Sequence, residues 1–347
     1  MNFKKEITIY DIAKETNYSP STVSRALNNN SNISEKTIKK IQEAARKMGY
    51  SPNTMAANLR NSKSNTIGIL ISRINRPFVS NLISGIEETA RNAGYNVIIS
   101  QSYDEYEIEV NNSEALYNSR IAGLISSLAM ETQNYEHFKK FIDQGIPVVF
   151  VDRVPDLFNV YKVIIDNYSA GYNATKHLIE QGCTRIAHFA GLQHRMVFQH
   201  RKQGYLNALK EHNIAVDENL IIHFKSLSLE EGKKATKTLL KSETPPDGIF
   251  SANDTAAVGA IMSAKKLGVK IPDDLCIIGF NNDPIATIVD PPLSTIKHPA
   301  RKMGELSALR VLNHTHDNTI TKVSEISMLK TEVLVRASSS RKKEKPS

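Results

Sequence analysis

Apolar residues recur at three- and four-residue spacing in three short stretches of the first 50 residues. Such spacing places the apolar side chains on one face of a helix. A residue that can cap a helix precedes each stretch: Thr8, Ser19 and Ser34. The pattern therefore predicts three helices. Because only a few residues separate the first two, it indicates a helix-turn-helix.

The predicted second helix has an outer face without acidic residues. Ser21, Arg25 and Asn28 lie at i, i+4 and i+7 on this face, opposite Val23 and its apolar neighbours. Hydroxyl and amide groups can position phosphates, and an arginine can pair with a guanine edge, which is worth about 1–3 kcal/mol of discrimination. We expect Arg25 to contact a base, with Ser21 next. The predicted backbone contacts are Ser19, Thr22, Ser24 and Asn28. The alternative is an ordinary solvated surface helix.

Positive charge is concentrated at the two ends of the chain. Residues 1–63 contain eleven Lys and Arg against five Asp and Glu, and residues 341–347 contain four against one, whereas the whole chain carries a net charge of +8. The segment between them is nearly neutral. A basic head on a neutral body indicates a polyanionic partner for the head alone.

From residue 66 onward the pattern changes. Short runs rich in Val and Ile, such as "TIGILIS" and "PVVFVDR", alternate with amphipathic segments such as "GYNATKHLIEQGC". Alternating strands and helices indicate parallel sheets. Two sets of these units, with a break near residues 164–168, predict two doubly wound α/β lobes. A ligand is expected at the carboxyl ends of the strands, in the cleft between the lobes.

Cysteine usage and hydropathy narrow the class of protein. Cys183 and Cys276 are far apart and in no metal-ligand spacing, so a zinc site or a disulfide framework is not expected. The N-terminus carries charges where a signal peptide needs an apolar core, and no run reaches 18 apolar residues. We therefore expect a cytoplasmic protein that does not enter membranes and has no metal, cofactor or catalytic residue.

The head motifs "ITIYDIAKE", "YSPSTVSRALN" and "GYSPNTMAANL" closely resemble the DNA-binding head of the LacI/GalR family of bacterial transcription regulators. Tyr18 replaces a usual Val, and the likeness extends to about Arg336. The resemblance implies a homodimer that binds a near-palindromic operator in double-stranded DNA. Further DNA contacts are expected at Thr8, Tyr10 and Pro20.

Residues 53–60 are long enough for two helical turns but shorter than the about 12–15 residues at which an isolated helix becomes stable. The segment can be interpreted as a plain linker. The resemblance instead implies a hinge helix that pairs with its dimer mate in the minor groove, where Leu59 inserts between base pairs. The expected hinge contacts are Asn53, Ala56, Ala57, Leu59 and Arg60.

The resemblance also implies a periplasmic-binding-protein-like body in which the chain crosses three times between the lobes. Further crossings are expected near residues 289–293 and 325–328. The predicted divisions are a head at 1–51, a hinge at 52–65, a body at 66–337 and a disordered basic tail at 338–347, with lobe 1 at about 66–165 and 293–325 and lobe 2 at about 166–290 and 326–337.

Polar residues just past strand ends are the candidates for contacts with a small effector. The expected residues, which align with effector contacts of the family, are Phe78, Asp152, Arg201, Asn253, Asp254 and Asn281. Their amide, carboxylate and guanidinium groups suit a sugar or sugar derivative. Asn253 and Asp254 can instead be interpreted as a helix cap. Leu227 stands where sugar-responsive members often have an aromatic residue, so a nucleoside or purine remains an alternative.

These observations predict a sequence-specific transcription regulator, most simply a repressor, whose operator affinity a small effector controls. Two other classes of protein fit the sequence less well. An enzyme would need a recognisable catalytic motif, and the sequence has no Walker loop, G-x-G-x-x-G, H-E-x-x-H or G-x-S-x-G element. A solute-binding protein would account for the body alone but leaves the basic head unexplained.

Overall fold

The computed structural model describes residues 7–50, 64–156, 160–317 and 325–341. The chain divides into two compact units, residues 1–64 and 65–347. Within the described ranges, no helix combines the length and the apolar character needed to cross a membrane.

The first unit contains three helices among its described residues: α1 Ile9–Thr16, α2 Pro20–Leu27 and α3 Glu35–Met48. α1 begins with a capping box, in which the Thr8 amide donates to the Asp11 carboxylate at 2.8 Å. The Ser19 hydroxyl accepts from the Thr22 amide at 3.2 Å and so caps α2. The helices bury a small apolar core centred on Ile12 and Ile41. The predicted helix-turn-helix head is confirmed.

The second unit alternates strands and helices. Along the chain these are β1 Thr66–Ile71, α4 Pro77–Asn92, β2 Asn96–Gln101, α5 Tyr106–Asn118, β3 Gly123–Ser126, α6 Glu136–Asp143, β4 Val148–Val151, β5 Tyr161–Ile165, α7 Asn167–Glu180, β6 Ile186–Ala190, α8 Met196–Glu211, β7 Ile221–His223, α9 Leu229–Leu239, β8 Gly248–Ser251, α10 Asp254–Lys266, β9 Cys276–Asn281, α11 Ile285–Ile288, β10 Ser294–Lys297, α12 Ala300–Asp317, β11 Glu325–Leu329 and β12 Glu332–Leu334.

The strands form two six-stranded sheets, counted over the described residues. The first lobe has the order β11-β5-β4-β3-β1-β2 and the second the order β12-β10-β9-β8-β6-β7. Neighbouring strands of each sheet run parallel among the described residues, except that β12 runs antiparallel to β10. This confirms the predicted fold of two doubly wound parallel-sheet lobes, in which each sheet is covered by helices.

Two expected positions of the crossings need correction. β10 pairs with β9, with Thr295 opposite Gly279, so residues 294–297 belong to the second lobe and not to the first. β11 pairs with β5, with Met328 opposite Ile164, so residues 325–329 belong to the first lobe. The chain therefore crosses a few residues later than expected, after β10 and after β11. The sequence could not show this, because a short strand has the same pattern in either sheet.

Reciprocal glycines bring helices together in both lobes. They join α4 to α12 through Gly85 and Gly304, α7 to α8 through Gly171 and Gly204, and α9 to α10 through Gly232 and Gly259. A Cβ atom placed on any of the six would lie 2.1 or 2.2 Å from a carbonyl oxygen of the facing helix. Contacts this close exclude any side chain, so the backbones pack directly against each other.

We predict that Gly171→Ala destabilises the second unit by about 1–3 kcal/mol, the usual cost of overpacking. The added methyl group would lie 2.2 Å from the carbonyl oxygen of Arg201 and must push α8 away. Urea unfolding of the full chain measures the change. Lys210→Ala on the exposed side of α8 is the control and should alter the free energy of unfolding by less than about 0.5 kcal/mol. Equal stability of the two variants would contradict the close approach.

Candidate functional site

The outer face of α2 is exposed and free of acidic side chains. Ser21, Arg25 and Asn28 are exposed, as is Tyr10 of α1, which is 70% accessible. Among the described residues, no hydrogen bond or ion pair engages the guanidinium group of Arg25. The face can therefore present a cation and several hydroxyl and amide groups to a polyanion.

Part of the hydrogen-bonding capacity of this face is used locally. The Ser19 hydroxyl caps α2 and also contacts the Ser21 hydroxyl at 2.9 Å. The Asn28 amide donates to the Ser24 carbonyl at 2.8 Å, at the end of the helix. Thr22 and Ser24 are half-buried. Ser19 and Asn28 thus fix the two ends of the helix, whereas Arg25 remains available. The expected hinge contacts, Asn53, Ala56, Ala57, Leu59 and Arg60, lie outside the described residues.

The second unit contains a cleft of about 870 Å³ between its lobes. The carboxyl ends of strands from both sheets line it. It brings together five of the six predicted effector residues: Phe78, Asp152, Arg201, Asn253 and Asn281. Polar and aromatic residues that follow strand ends in the sequence therefore meet in one cavity.

Arg201 is a buried cation in the wall of the second lobe. Its Nε donates to Asn167 Oδ1 at 2.8 Å, and its Nη1 donates to the Ala252 carbonyl at 3.0 Å. The guanidinium plane lies 3.5 Å from the centre of the Phe280 ring. Burial lowers the pKa of Arg201 to about 10, and Asp152 opposes this effect. The head group is thus held in one orientation, with donors left for a ligand.

Asp152 follows β4 on the first lobe, and its charge interacts with that of Arg201 on the second. Its backbone is left-handed, with a φ of 61°, which orients the side chain at the turn after the strand. Burial raises the pKa of Asp152, whereas Arg153 and Arg201 lower it. An acceptor on one lobe and a donor on the other can together bind adjacent hydroxyl groups of one ligand.

Asp254 does not line the cleft, contrary to the prediction that it contacts the effector. It is fully buried and lies behind the cleft wall rather than in it. Its carboxyl group accepts from the Thr295 hydroxyl at 2.6 Å and from the Asp283 amide at 2.7 Å. It therefore fixes the loop after β9. Asp254 is the first residue of α10, and from this position its side chain points towards the sheet and not into the cleft.

Asn253 lines the cleft while also capping α10. Its Oδ1 accepts from the Ala256 amide at 2.9 Å, and its Nδ2 donates to the Leu227 carbonyl at 2.9 Å. Asn253 therefore caps α10, as the alternative interpretation of the sequence predicts. What remains available to a ligand from Asn253 is mainly the second hydrogen of its amide group.

The lining residues that the sequence did not reveal include Asp283, His298 and Phe224. Burial raises the pKa of Asp283 to about 6, whereas Asn281 and Arg76 act to lower it. The His298 ring stacks on Phe78 with centroids 4.2 Å apart. Phe224 supplies an aromatic side chain three residues before Leu227, the position at which sugar-responsive family members often have one. The order of residues along the chain did not reveal these contacts, because they depend on how loops fold back over the strand ends.

Comparisons with known proteins match both units. The sequence model described as "Bacterial regulatory proteins, lacI family" matches residues 8–53, and the one described as "Periplasmic binding proteins and sugar binding domain of LacI family" matches residues 64–333. The HTH-type transcriptional repressor CytR of Escherichia coli (strain K12) is 33% identical over 334 residues, which are 95% of this chain and 96% of CytR.

The HTH-type transcriptional regulator DegA of Bacillus subtilis (strain 168) is 33% identical over 298 residues, which are 86% of this chain and 88% of DegA. A crystal structure of the Lac repressor dimer bound to operator and the anti-inducer ONPF has the same fold, with a TM-score of 0.85, 24% identity, and coverage of 96% of this chain and 99% of that one.

We predict that Asp254→Asn flattens the pH dependence of stability between pH 4 and 7. Burial raises the pKa of Asp254 to about 7, so the folded chain keeps a proton that the unfolded chain loses near pH 4. The contribution of this group to the free energy of unfolding therefore falls as the pH rises through that range. Urea unfolding at several pH values measures the slope.

Thr295→Val is the matched comparison for this experiment. It removes the hydroxyl that donates to Asp254 and favours the ionised carboxylate. The pKa of Asp254 should rise further, and the decline of stability towards pH 7 should steepen. Identical slopes for the wild type and Asp254→Asn would show that Asp254 does not titrate in this range.

Proposed function

Because this chain belongs to the LacI family of bacterial regulatory proteins, we propose that it is a cytoplasmic repressor that responds to an uncharged, polyhydroxylated effector. It is a regulator with a DNA-binding head and an effector-binding body, and it acts on operator DNA as a dimer. One observation carries the proposal: the same chain combines an exposed acid-free face on α2 with a cleft in which Asp152 and Arg201 face each other from two lobes.

On DNA, α2 of each protomer enters a major groove, so that the twofold symmetry of the dimer matches the near-palindromic operator. Arg25 reads a base edge, and Ser21 lies next to it. Thr8, Tyr10, Pro20 and the cap residues of α2 hold the helix against the phosphates. The hinge residues, with Leu59 as the wedge, read the minor groove at the centre of the operator.

The charges that line the cleft favour an uncharged effector. Five cations and five acids line it: Arg73, Arg76, Arg153, Arg201 and Lys225, and Asp104, Glu105, Glu131, Asp152 and Asp283. Part of this charge is already paired, because Arg153 donates to Asp104 at 2.6 Å. A phosphorylated ligand would meet no net positive charge here, whereas a sugar can use donors and acceptors of both kinds.

A nucleoside is the second candidate. The Phe78 ring, which stacks on the His298 ring, lines the cleft and offers an aromatic side chain on which a base could stack, beside the polar groups that would bind its ribose. Either ligand would bridge the lobes, change the way that the first lobe presents the hinge, and so shift operator affinity. Such coupling is reciprocal and typically about 1–3 kcal/mol.

We predict that Arg25→Ala costs about 1–3 kcal/mol at a cognate operator and little on unrelated duplexes, because only the cognate site offers the paired base edge. Fluorescence anisotropy at a fixed salt concentration measures both affinities. Arg46→Ala, which removes an exposed arginine from α3, is the control and should leave discrimination unchanged. Equal losses on both duplexes would argue against base reading by Arg25.

A thermal-shift screen of pentoses, hexoses, disaccharides, nucleosides and their phosphates tests the effector proposal. A neutral member of the panel should raise the melting temperature of the full chain by mass action, and its phosphate should not. Arg201→Lys and Asp152→Asn should each abolish the shift, while Arg120→Lys, a change on the surface of the first lobe, should retain it. A shift by phosphates alone would overturn the assignment of an uncharged ligand.

A further inference from the structure

A direct contact between the two lobes lies at the rim of the cleft. Arg195, in the loop before α8 of the second lobe, inserts its guanidinium group among the carbonyls of residues 129–132 of the first lobe. Its Nε donates to Met130 O at 3.2 Å, and its Nη2 donates to Met130 O at 2.8 Å, to Thr132 O at 2.6 Å and to Ala129 O. His194 adds a contact from its Nε2 to Met130 O at 2.7 Å.

The contact is buried, and its backbone carbonyl oxygens favour a cation. Arg195 is only 5% exposed. A guanidinium group is planar and presents several N–H donors in a fixed fork, so it can serve several carbonyl groups at once. Nη2 alone reaches the carbonyls of Ala129, Met130 and Thr132, and Nε adds a second hydrogen bond to Met130 O. The loop at residues 129–132 therefore forms a socket for a cationic N–H donor.

A buried carboxylate on the other side of the socket holds these carbonyls in place. Glu109 of α5 is fully buried and accepts from the Ala129 amide at 2.5 Å and from the Thr132 hydroxyl at 2.7 Å. The His137 ring contacts the same carboxylate at 3.0 Å. Ala129 thus points its N–H at an anion and its C=O at a cation, so its peptide groups interact favourably with both charges. The first lobe forms the socket by itself, and the second lobe supplies only the arginine.

The position of the socket connects it to ligand binding. Met130, Glu131 and His194 line the effector cleft. When Arg195 is docked, the two walls that carry Asp152 and Arg201 are held facing each other. If the lobes separated, the guanidinium group and the socket carbonyls would have to be satisfied by water instead. The contact thus favours the closed cleft without any ligand.

We propose that Arg195 is a positioning residue of the effector cleft: it docks the second lobe into the socket of the first and sets the fraction of molecules whose cleft is closed before an effector arrives. The inference rests on the proposed function only where it concerns effector affinity. That affinity should scale with the closed fraction, because a ligand that must reach both walls binds only the closed form.

Distance measurements on the ligand-free full chain test the docking directly. Nitroxide labels on Lys139→Cys of α6 and Lys237→Cys of α9, both exposed, report the separation of the lobes by double electron–electron resonance. Cys183 and Cys276 are buried, and the chain without added cysteines controls for their labelling. We expect Arg195→Met and Arg195→Gln each to give a longer and broader distance distribution, because neither side chain carries a positive charge.

The matched control is Arg185→Met. Arg185 also makes two side-chain hydrogen bonds, to Thr244 O at 2.8 Å and Asp217 Oδ2 at 2.6 Å, but both lie within the second lobe. Its loss should leave the distance distribution as in the wild type. An unchanged distribution in both Arg195 variants would overturn the proposal. If Arg195→Met does not fold, Arg195→Gln decides alone, and a wild-type distribution in that variant would overturn the proposal as well.

Effector titrations add a second readout with whichever neutral compound the thermal-shift screen identifies. Arg195→Met should weaken its binding about tenfold, which corresponds to about 1.4 kcal/mol, whereas Arg185→Met should not. An equal affinity in Arg195→Met and the wild type would refute the link to ligand binding. If no compound binds the wild type, the proposed effector class fails, and the distance measurements still judge the docking.

Discussion

Parallel strands leave all of their carboxyl ends on the same edge of a sheet, and this constraint organises the second unit. Each lobe has such an edge, and the three crossings of the chain turn the two edges towards each other. Asp152 after β4 and Asn281 at the end of β9 therefore meet in one cleft although they belong to different sheets. Reciprocal glycines let the flanking helices pack closely, which fixes the direction of helix α8 and hence of Arg201.

The cleft also depends on buried ionisable groups that form hydrogen bonds with the surrounding protein. Arg201 lies against Phe280 and two oxygen acceptors, Asp254 receives two donors, and Glu109 and Arg195 bind opposite sides of one loop. Buried charges cost folding free energy unless hydrogen bonds compensate for them. Each buried charge therefore requires partners in a specific geometry. Here they hold the loops of both lobes in a single arrangement around the ligand space.

The helices of the head are stabilised in a different way. Its core is small, and α1 and α2 have eight residues each, too few for stable isolated helices. Capping by Thr8 and Ser19 and the packing of Ile12 against its neighbours stabilise them together. Because the inward face supplies this stability, the outward face of α2 is free to carry residues chosen for binding, and Arg25 is the charged one among them.

The sequence by itself determined the elements, the fold class and the family, because periodicity, caps and strand-end residues act over a few neighbouring positions. Five of the six effector residues that it predicted do line the cleft, since the end of a parallel strand is visible as the end of an apolar run. Only the tertiary structure decided that Asp254 turns inward, that β10 and β11 belong to the opposite lobes from those expected, and that Arg195 reaches the carbonyls of the other lobe. These features depend on contacts between residues far apart in the chain, whose geometry no local pattern encodes.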